Sequence, residues 1–470
     1  MTPPFPELIG NDLEVPLATG GVRRYLNLDA AASTPAMRVV AEAVERALPW
    51  YSSVHRGAGF TSQVSTRLYE TARQAVATFV GARDTDTVIF VRNTTEALNL
   101  AACCLPIAPG DVVLSTAVEH HANMLPWRRR APVVYLQPPP SRESLLDAVA
   151  EALRDPGRRV AIVAMTGASN VTGEVFPVAE VAALAHEHDA LVVVDGAQLA
   201  PHRHIDMAAQ GIDCLAISGH KMYAPFGTGA LIAPAGLLSG AEPMLAGGGA
   251  VDFVTLDDVV WTGLPDRMEA GSPNVIGAVA LAAAAATLDD LGMEHIAAHE
   301  RQLLAHLEGR LVGVPGVTRY RLWDADGTDR VGVYTFTVDA LHHALVAAAL
   351  SAEHAIGVRH GCFCAHPYIT HLLGIAPDEA EVIRDHLRRG ERATVPGAVR
   401  ASFSVATSAE DIDRFADAVA DIVEHGPRLV YAQDPSTGDF APVADPRELP
   451  RIRPLAPLES ASSGGGCGHF

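Results

Sequence analysis

Lys221 is the only lysine in the chain: of 35 Lys plus Arg, 34 are arginine. Guanidinium stays protonated, whereas a desolvated amine can lose its proton and attack a carbonyl, so Lys221 is the first candidate for Schiff-base chemistry. It lies in Ser218-Gly219-His220-Lys221, directly after the apolar run Cys214 to Ser218, where hydroxyl, imidazole and amine converge on one edge. Other reactive residues also follow apolar runs. Arg92-Asn93-Thr94-Thr95-Glu96 opens a helical pattern after Val-Ile-Phe-Val, and its amides, helix dipole and hydroxyls suit an anion such as phosphate; alternatively, Thr94 or Thr95 caps the helix.

Asp195 closes Leu-Val-Val-Val-Asp, where a carboxylate either keeps a heteroaromatic nitrogen protonated or plays a structural part. Gln198 follows three residues on and reaches a ring substituent or solvent. His121 comes shortly after the run Val112 to Ser115, where an imidazole either stacks on a planar cofactor and moves a proton, or lies on polar surface. Phosphate on Thr94, Thr95, Ser218 and His220, a ring nitrogen on Asp195 and an aldehyde on Lys221 together describe a pocket for pyridoxal 5'-phosphate (PLP).

The elements that must position these residues alternate. The runs 87–91, 112–115, 133–136, 160–165, 191–195, 214–218 and 229–233 read as strands buried on both faces, with helical crossovers at 94–104, 144–153 and 178–188. This predicts a parallel α/β sheet, whose ligands bind at the carboxyl ends of the strands. Helices are predicted at 36–50 and 65–80 before the sheet and at 274–291 after it. The pattern then changes to helices at 294–311, 340–352 and 410–424 with strands at 318–322 and 331–338. The domain reading is an extended arm over 1–20, a large cofactor-binding domain over 21–291, a smaller α+β domain over 292–425 and a flexible tail over 426–470.

The chain of 470 residues can bury a large core, and its 49% hydrophobic fraction fits a globular enzyme. A formal net charge of -20 opposes a nucleic-acid backbone or an anionic membrane surface. The N-terminus lacks a basic region followed by an apolar stretch, and the apolar run 276–288 is too short to span a bilayer, so a cytoplasmic protein is expected. Its six cysteines are too few for a disulfide framework and direct attention to reactive thiols.

The strings Thr-Thr-Glu-Ala-Leu-Asn, Glu-His-His-Ala-Asn, Asp-Gly-Ala-Gln, Ser-Gly-His-Lys-Met-Tyr-Ala-Pro, Glu-Ala-Gly-Ser-Pro-Asn and Arg359-His360-Gly361-Cys362-Phe363-Cys364-Ala365-His366-Pro367 occur in this order. Over about Leu26 to Ala420 the chain resembles the class V aminotransferase fold as used by group II cysteine desulfurases and selenocysteine lyases. The resemblance implies a fold-type I PLP enzyme with a mostly parallel central sheet and a homodimer with Ser272 contacting the phosphate across the subunit interface. It implies that Lys221 holds the cofactor aldehyde and shuttles the substrate's α proton. Asp195 pairs with the pyridine nitrogen, His121 stacks on the ring and Gln198 contacts its hydroxyl. Arg359 and Asn170 hold the substrate carboxylate. Cys364 attacks the substrate's sulfur, leaving alanine and a persulfide for a sulfur-acceptor protein, in iron-sulfur cluster assembly or another sulfur pathway.

Two features depart from the resemblance. Relatives usually carry His two residues before the nucleophile, where this chain has Cys362; the Cys-x-Cys can pass a persulfide between thiols or ease oxidation of the loop, while two thiolates with nearby His360 and His366 are too few and too closely spaced for a structural zinc site, so no metal is expected. The tail with Cys467 has no counterpart in the motif set. The principal reading is a persulfide-forming L-cysteine desulfurase. Two other readings are a class V PLP enzyme for which Cys364 is dispensable (selenocysteine lyase, epimerase or C-S lyase) and a non-catalytic scaffold of the same fold. The presence of Lys221, Asp195 and His121 argues against the scaffold.

Overall fold

The computed structural model describes residues 5–450 except 56, 324 and 326. Its centre is a seven-stranded sheet of β1 (Asp86–Val91), β2 (Val112–Thr116), β3 (Val133–Leu136), β4 (Val160–Thr166), β5 (Leu191–Asp195), β6 (Cys214–Ser218) and β7 (Gly229–Pro234). The spatial order is β1-β7-β6-β5-β4-β2-β3. The run β6-β5-β4-β2-β3 is parallel throughout, while β7 pairs antiparallel with both β6 and β1. The sheet is therefore mostly parallel, with one reversed strand that returns the chain directly from the Lys221 turn.

β2, β4 and β6 are buried along their whole length, as continuous apolar runs require when helices cover both faces. The Ala-rich helix Val275–Leu291 packs against Phe60–Phe79 and Arg38–Ala47, its small side chains allowing close approach. Phe60–Phe79 starts five residues before the predicted 65, because Gly59 in extended conformation begins the helix without any side-chain cap for the sequence to advertise. Each fully buried Leu or Val here, such as Leu281, Leu288 and Val76, contributes about 1.5–3 kcal/mol.

A second sheet is antiparallel: β8 (Val317–Tyr320), β9 (Val333–Val338), β10 (Arg359–Gly361) and β11 (Ala398–Ser402), in the order β8-β9-β11-β10. The helices His343–His354, Met293–Leu311 and Ala409–His425 contribute to the core on this side, with Phe336, Phe403 and Phe415 almost fully enclosed. β10 and β11 were not predicted, since Arg, His and Gly do not read as a strand. They turn out to carry Arg359, Arg400 and the segment leading to Cys364.

The expected tail begins too early. Tyr431–Gln433 and Phe440–Pro442 form an antiparallel hairpin, Tyr431 donates its hydroxyl to Glu353 at 2.8 Å, and the Phe440 ring sits 5.5 Å from that of His342. Three-residue strands are too short to show an alternation, so the pattern vanished where the fold had not. The Cys467 segment lies outside the described residues. The N-terminal arm likewise contains an element, Glu14–Pro16 paired with Val22–Arg24.

Candidate functional site

Five of the sheet's strands deliver the site from their carboxyl ends: Thr94 after β1, His120 and His121 after β2, Asn170 after β4, Asp195 and Gln198 from β5, and Ser218 to Lys221 from β6. The Lys221 turn is pinned from several directions. Thr34 takes the Tyr223 amide on its hydroxyl at 2.8 Å and donates its own amide to the His220 carbonyl at 2.9 Å. The buried Tyr223 is held at a φ of 63°, and its hydroxyl accepts the Val405 amide at 2.9 Å. Gly219 is required there, because a Cβ would stand 2.6 Å from the Thr228 carbonyl.

Thr94 opens the helix Thr94–Cys104, but the cap is Asn93, whose side chain accepts the Glu96 amide at 3.0 Å. That frees the Thr94 hydroxyl, which is buried with no hydrogen-bond partner. The hydroxyl of Ser218 and the Oε1 of Gln198 are in the same condition, while Gln198 Nε2 donates to the Ala31 carbonyl at 2.7 Å. Buried polar atoms without partners cost about 1–3 kcal/mol each, so three of them at the mouth of one sheet mark a place built for a polar ligand. Two hydroxyls beside a helix N-terminus and an amide oxygen beside Asp195 fit the phosphate and ring of PLP. Thr95 sits on the same first turn and is exposed.

Asp195 is buried and accepts the Ala197 amide at 3.0 Å; burial raises its pKa, opposed by the charge of Lys221. Desolvation lowers Lys221 to about 8, with Asp195 pulling the other way. Burial and the Lys221 charge bring His120 to about 3 and His220 to about 4, so both imidazoles are neutral near neutral pH.

The two adjacent histidines differ in setting: the Lys221 charge acts on His120, whereas the His121 ring stacks on His366 at 5.0 Å and its amide donates to the Cys364 carbonyl at 2.8 Å. Beneath both, buried Glu119 is raised to about 8 by desolvation and accepts from Thr116 at 2.7 Å and Asn123 at 2.8 Å, which fixes the turn.

Arg359 is half-exposed at 52% and places Nε 3.1 Å from Asp29. The residue missed in the sequence is Arg400, on β11: it is buried, donates to the Asn170 carbonyl at 2.8 Å and to Asp29 at 3.2 Å, and its Nε has no partner. Lys221 and Arg400 both lie within the field of Cys364. Its signal was Val399-Arg400-Ala401, a cation embedded among apolar residues. Asn170 spends its side-chain amide on the Phe363 carbonyl at 2.8 Å, so it positions the Cys364 turn.

Cys364 is exposed, while Cys104 and Cys214 are buried. Burial holds Cys104 up at about 12 and raises Cys214 further still, which keeps both as inert thiols. Ser272 stands apart from this group. It is exposed and lines a separate cavity of about 370 Å³ with Ser53, His55, Asp266 and Glu269.

The comparisons with known proteins agree on one family. Residues 26–415 match the family model of Aminotransferase class-V. A probable cysteine desulfurase of Aeropyrum pernix is 37% identical, covering 85% of this chain and 95% of that protein. A probable cysteine desulfurase of Halalkalibacterium halodurans is 35% identical, covering 83% and 91%. The solved apo structure of a cysteine desulfurase from Thermococcus onnurineus is similar with a TM-score of 0.76 and 30% identity, covering 90% of this chain and 100% of that one.

Proposed function

The chain belongs to the class-V aminotransferase family, and from that premise we propose that it is a cysteine desulfurase that converts L-cysteine to L-alanine and keeps the sulfur as a persulfide on Cys364. The observation that carries the reading is the convergence of Lys221, Asp195 and the three partnerless polar atoms at the strand ends, facing an exposed thiol.

PLP is the cofactor of this reading, and when bound it draws electrons away from the substrate's α carbon. Thr94, Thr95, Ser218 and His220 would hold the phosphate, Asp195 the ring nitrogen, Gln198 the ring hydroxyl and neutral His120 the ring face. Lys221 Nζ, lowered to about 8, is neutral in about a tenth of molecules at pH 7 and in more as pH rises, and serves as both the anchoring amine and the base for the α proton. The substrate carboxylate goes to buried Arg400, which has a free Nε and little water to compete, with Arg359 at the rim. The Cys364 thiolate sulfur would bond to the substrate's sulfur as that atom's bond to the β carbon breaks; the bond's electron pair stays with the carbon skeleton, which takes up a proton at that carbon and leaves as alanine.

Because Cys364 is exposed, a sulfur-acceptor protein can reach its persulfide. The reading includes a homodimer, supported by exposed Ser272, which has no part in the cradle of its own chain, and a reducing cytoplasmic setting in which thiols persist. The test measures alanine and sulfide from L-cysteine under reducing conditions for the wild type and Cys364→Ser. Alanine from the wild type and none from the variant, with PLP absorbance retained in both, is the expected outcome. No alanine from either chain overturns the reading.

A further inference from the structure

The turn that presents Cys364 holds a second thiol for which the reaction above has no use. The Ala365 amide donates to the Cys362 carbonyl at 2.9 Å, and Phe363 and Cys364 have φ of 53° and 56°. A closed four-residue turn with both central residues left-handed is type I′, rare without glycine or asparagine, and such strain persists only where the surroundings impose it. Here the surroundings do. The buried Phe363 ring lies 4.9 Å from the Arg400 guanidinium, the Phe363 carbonyl accepts from Asn170 at 2.8 Å, and the Cys364 carbonyl accepts from His121 at 2.8 Å.

Two residues of extended chain span about 7 Å. Left-handed coiling of the turn shortens that span towards the window of about 4.4–6.8 Å that a disulfide needs. The two thiols differ in setting. Cys364 is exposed, whereas Cys362 is half-buried against the main apolar core. The backbone amides of Cys364 and Ala365 face the Cys362 sulfur and favour its thiolate, against burial, which raises its pKa.

We propose that Cys362 is a resolving thiol that discharges the Cys364 persulfide as sulfide without an acceptor protein, an inference that rests on the persulfide reading above. Cys362 loses its proton and its sulfur attacks Cys364 Sγ. The Sγ–Sγ bond forms as the bond from Cys364 Sγ to the terminal sulfur breaks. That sulfur leaves with the electron pair as hydrosulfide and takes up the proton. The two cysteines are oxidised to a disulfide and the terminal sulfur is reduced to hydrogen sulfide, so no outside oxidant enters. A dithiol or small-thiol reductant then returns the pair to thiols for the next turnover.

The full-length holoenzyme, freed of reductant, is given one equivalent of L-cysteine; alanine, sulfide and intact protein mass are then measured, with non-reducing peptide mapping. Expected for the wild type are alanine, sulfide, a mass lower by two hydrogens and a cross-link between Cys362 and Cys364. Cys362→Ser is expected to be heavier by one sulfur, mapped to Cys364, with sulfide release lost. A wild-type chain that makes alanine but stays heavier by one sulfur, on either cysteine, overturns the proposal and leaves the desulfurase reading intact. Absence of alanine from the wild type overturns that reading and the proposal with it. Should Cys362→Ser fail to fold, the wild-type mass alone decides.

Discussion

The cradle around Lys221 and the turn carrying Cys364 are built by opposite means. The cradle is made at the ends of buried strands, where the backbone is satisfied by the sheet and the side chains of Thr94, Ser218 and Gln198 are left with partnerless atoms. In the turn the backbone is the strained part, with two left-handed non-glycine residues, and side chains from other elements hold it in place. The first region works by desolvation: its groups are tuned by burial and await a ligand. The second works by placement: its thiols stand near the cradle because Asn170, Arg400 and His121 grip the chain between and after them. Perturbing the cradle should therefore change cofactor chemistry, and perturbing the grip should change where sulfur goes.

The largest effect is expected at Lys221. Lys221→Ala removes the only lysine and should abolish turnover, while the phosphate and ring contacts still retain PLP; turnover within tenfold of wild type would break the assignment of the cradle. The pH dependence sharpens it. Burial lowers the amine to about 8 and only the neutral form attacks an aldehyde, so the rate at which the apo chain takes up PLP, read from absorbance, should rise with pH and reach half its plateau near that value. A rate that is flat from pH 6.5 to 9 would place the amine elsewhere.

An intermediate effect separates the two arginines. Arg400→Gln takes a buried charge from the substrate side of the cradle and should raise KM for L-cysteine by about ten- to hundredfold, the scale of a hydrogen bond to a charged group at about 1.5–3 kcal/mol. Arg359→Gln, at a half-exposed rim position, should change KM by less than about tenfold, because exposed charge pairs contribute about 1 kcal/mol or less. Equal effects, or the reverse order, would return the carboxylate to Arg359. Thermal melts of both variants check that the loss of the Arg400 bridge to Asp29 has not unfolded the chain.

Legibility in the sequence follows the same division. The seven strands were readable because each is a short apolar run bounded by turn residues, and the residues after them needed only the rule that parallel sheets bind at their carboxyl ends. Lys221 announced itself by composition. Two of the four strands of the second sheet hid because Arg359-His360-Gly361 has no alternation and the Ala398–Ser402 strand is buried along its length, which left Arg400 inside an apparently structureless stretch. That the second of the two adjacent histidines stacks on His366 is a tertiary fact that no local pattern encodes. The Cys-x-Cys spacing was visible, but the left-handed turn was not, since neither Phe nor Cys favours it.

The effect expected to be smallest on the apo chain tests the idea that the cradle hydroxyls are held for a ligand. Thr94→Val keeps the shape of the side chain and removes the buried hydroxyl; Ser218→Ala does the same for the second one. In an ordinary site, deleting a buried hydroxyl costs stability because a hydrogen bond is lost. Here neither hydroxyl has a protein partner, so each variant should melt close to the apo wild type, short of the about 1–3 kcal/mol that orphaning a buried partner costs. In the presence of PLP the variants should separate from the wild type. Each lost hydrogen bond to phosphate should weaken retention of the cofactor by roughly ten- to hundredfold in a dialysis or competition assay. A variant that destabilises the apo chain would show that the hydroxyl has a structural partner, and unchanged cofactor retention would place the phosphate away from that strand end.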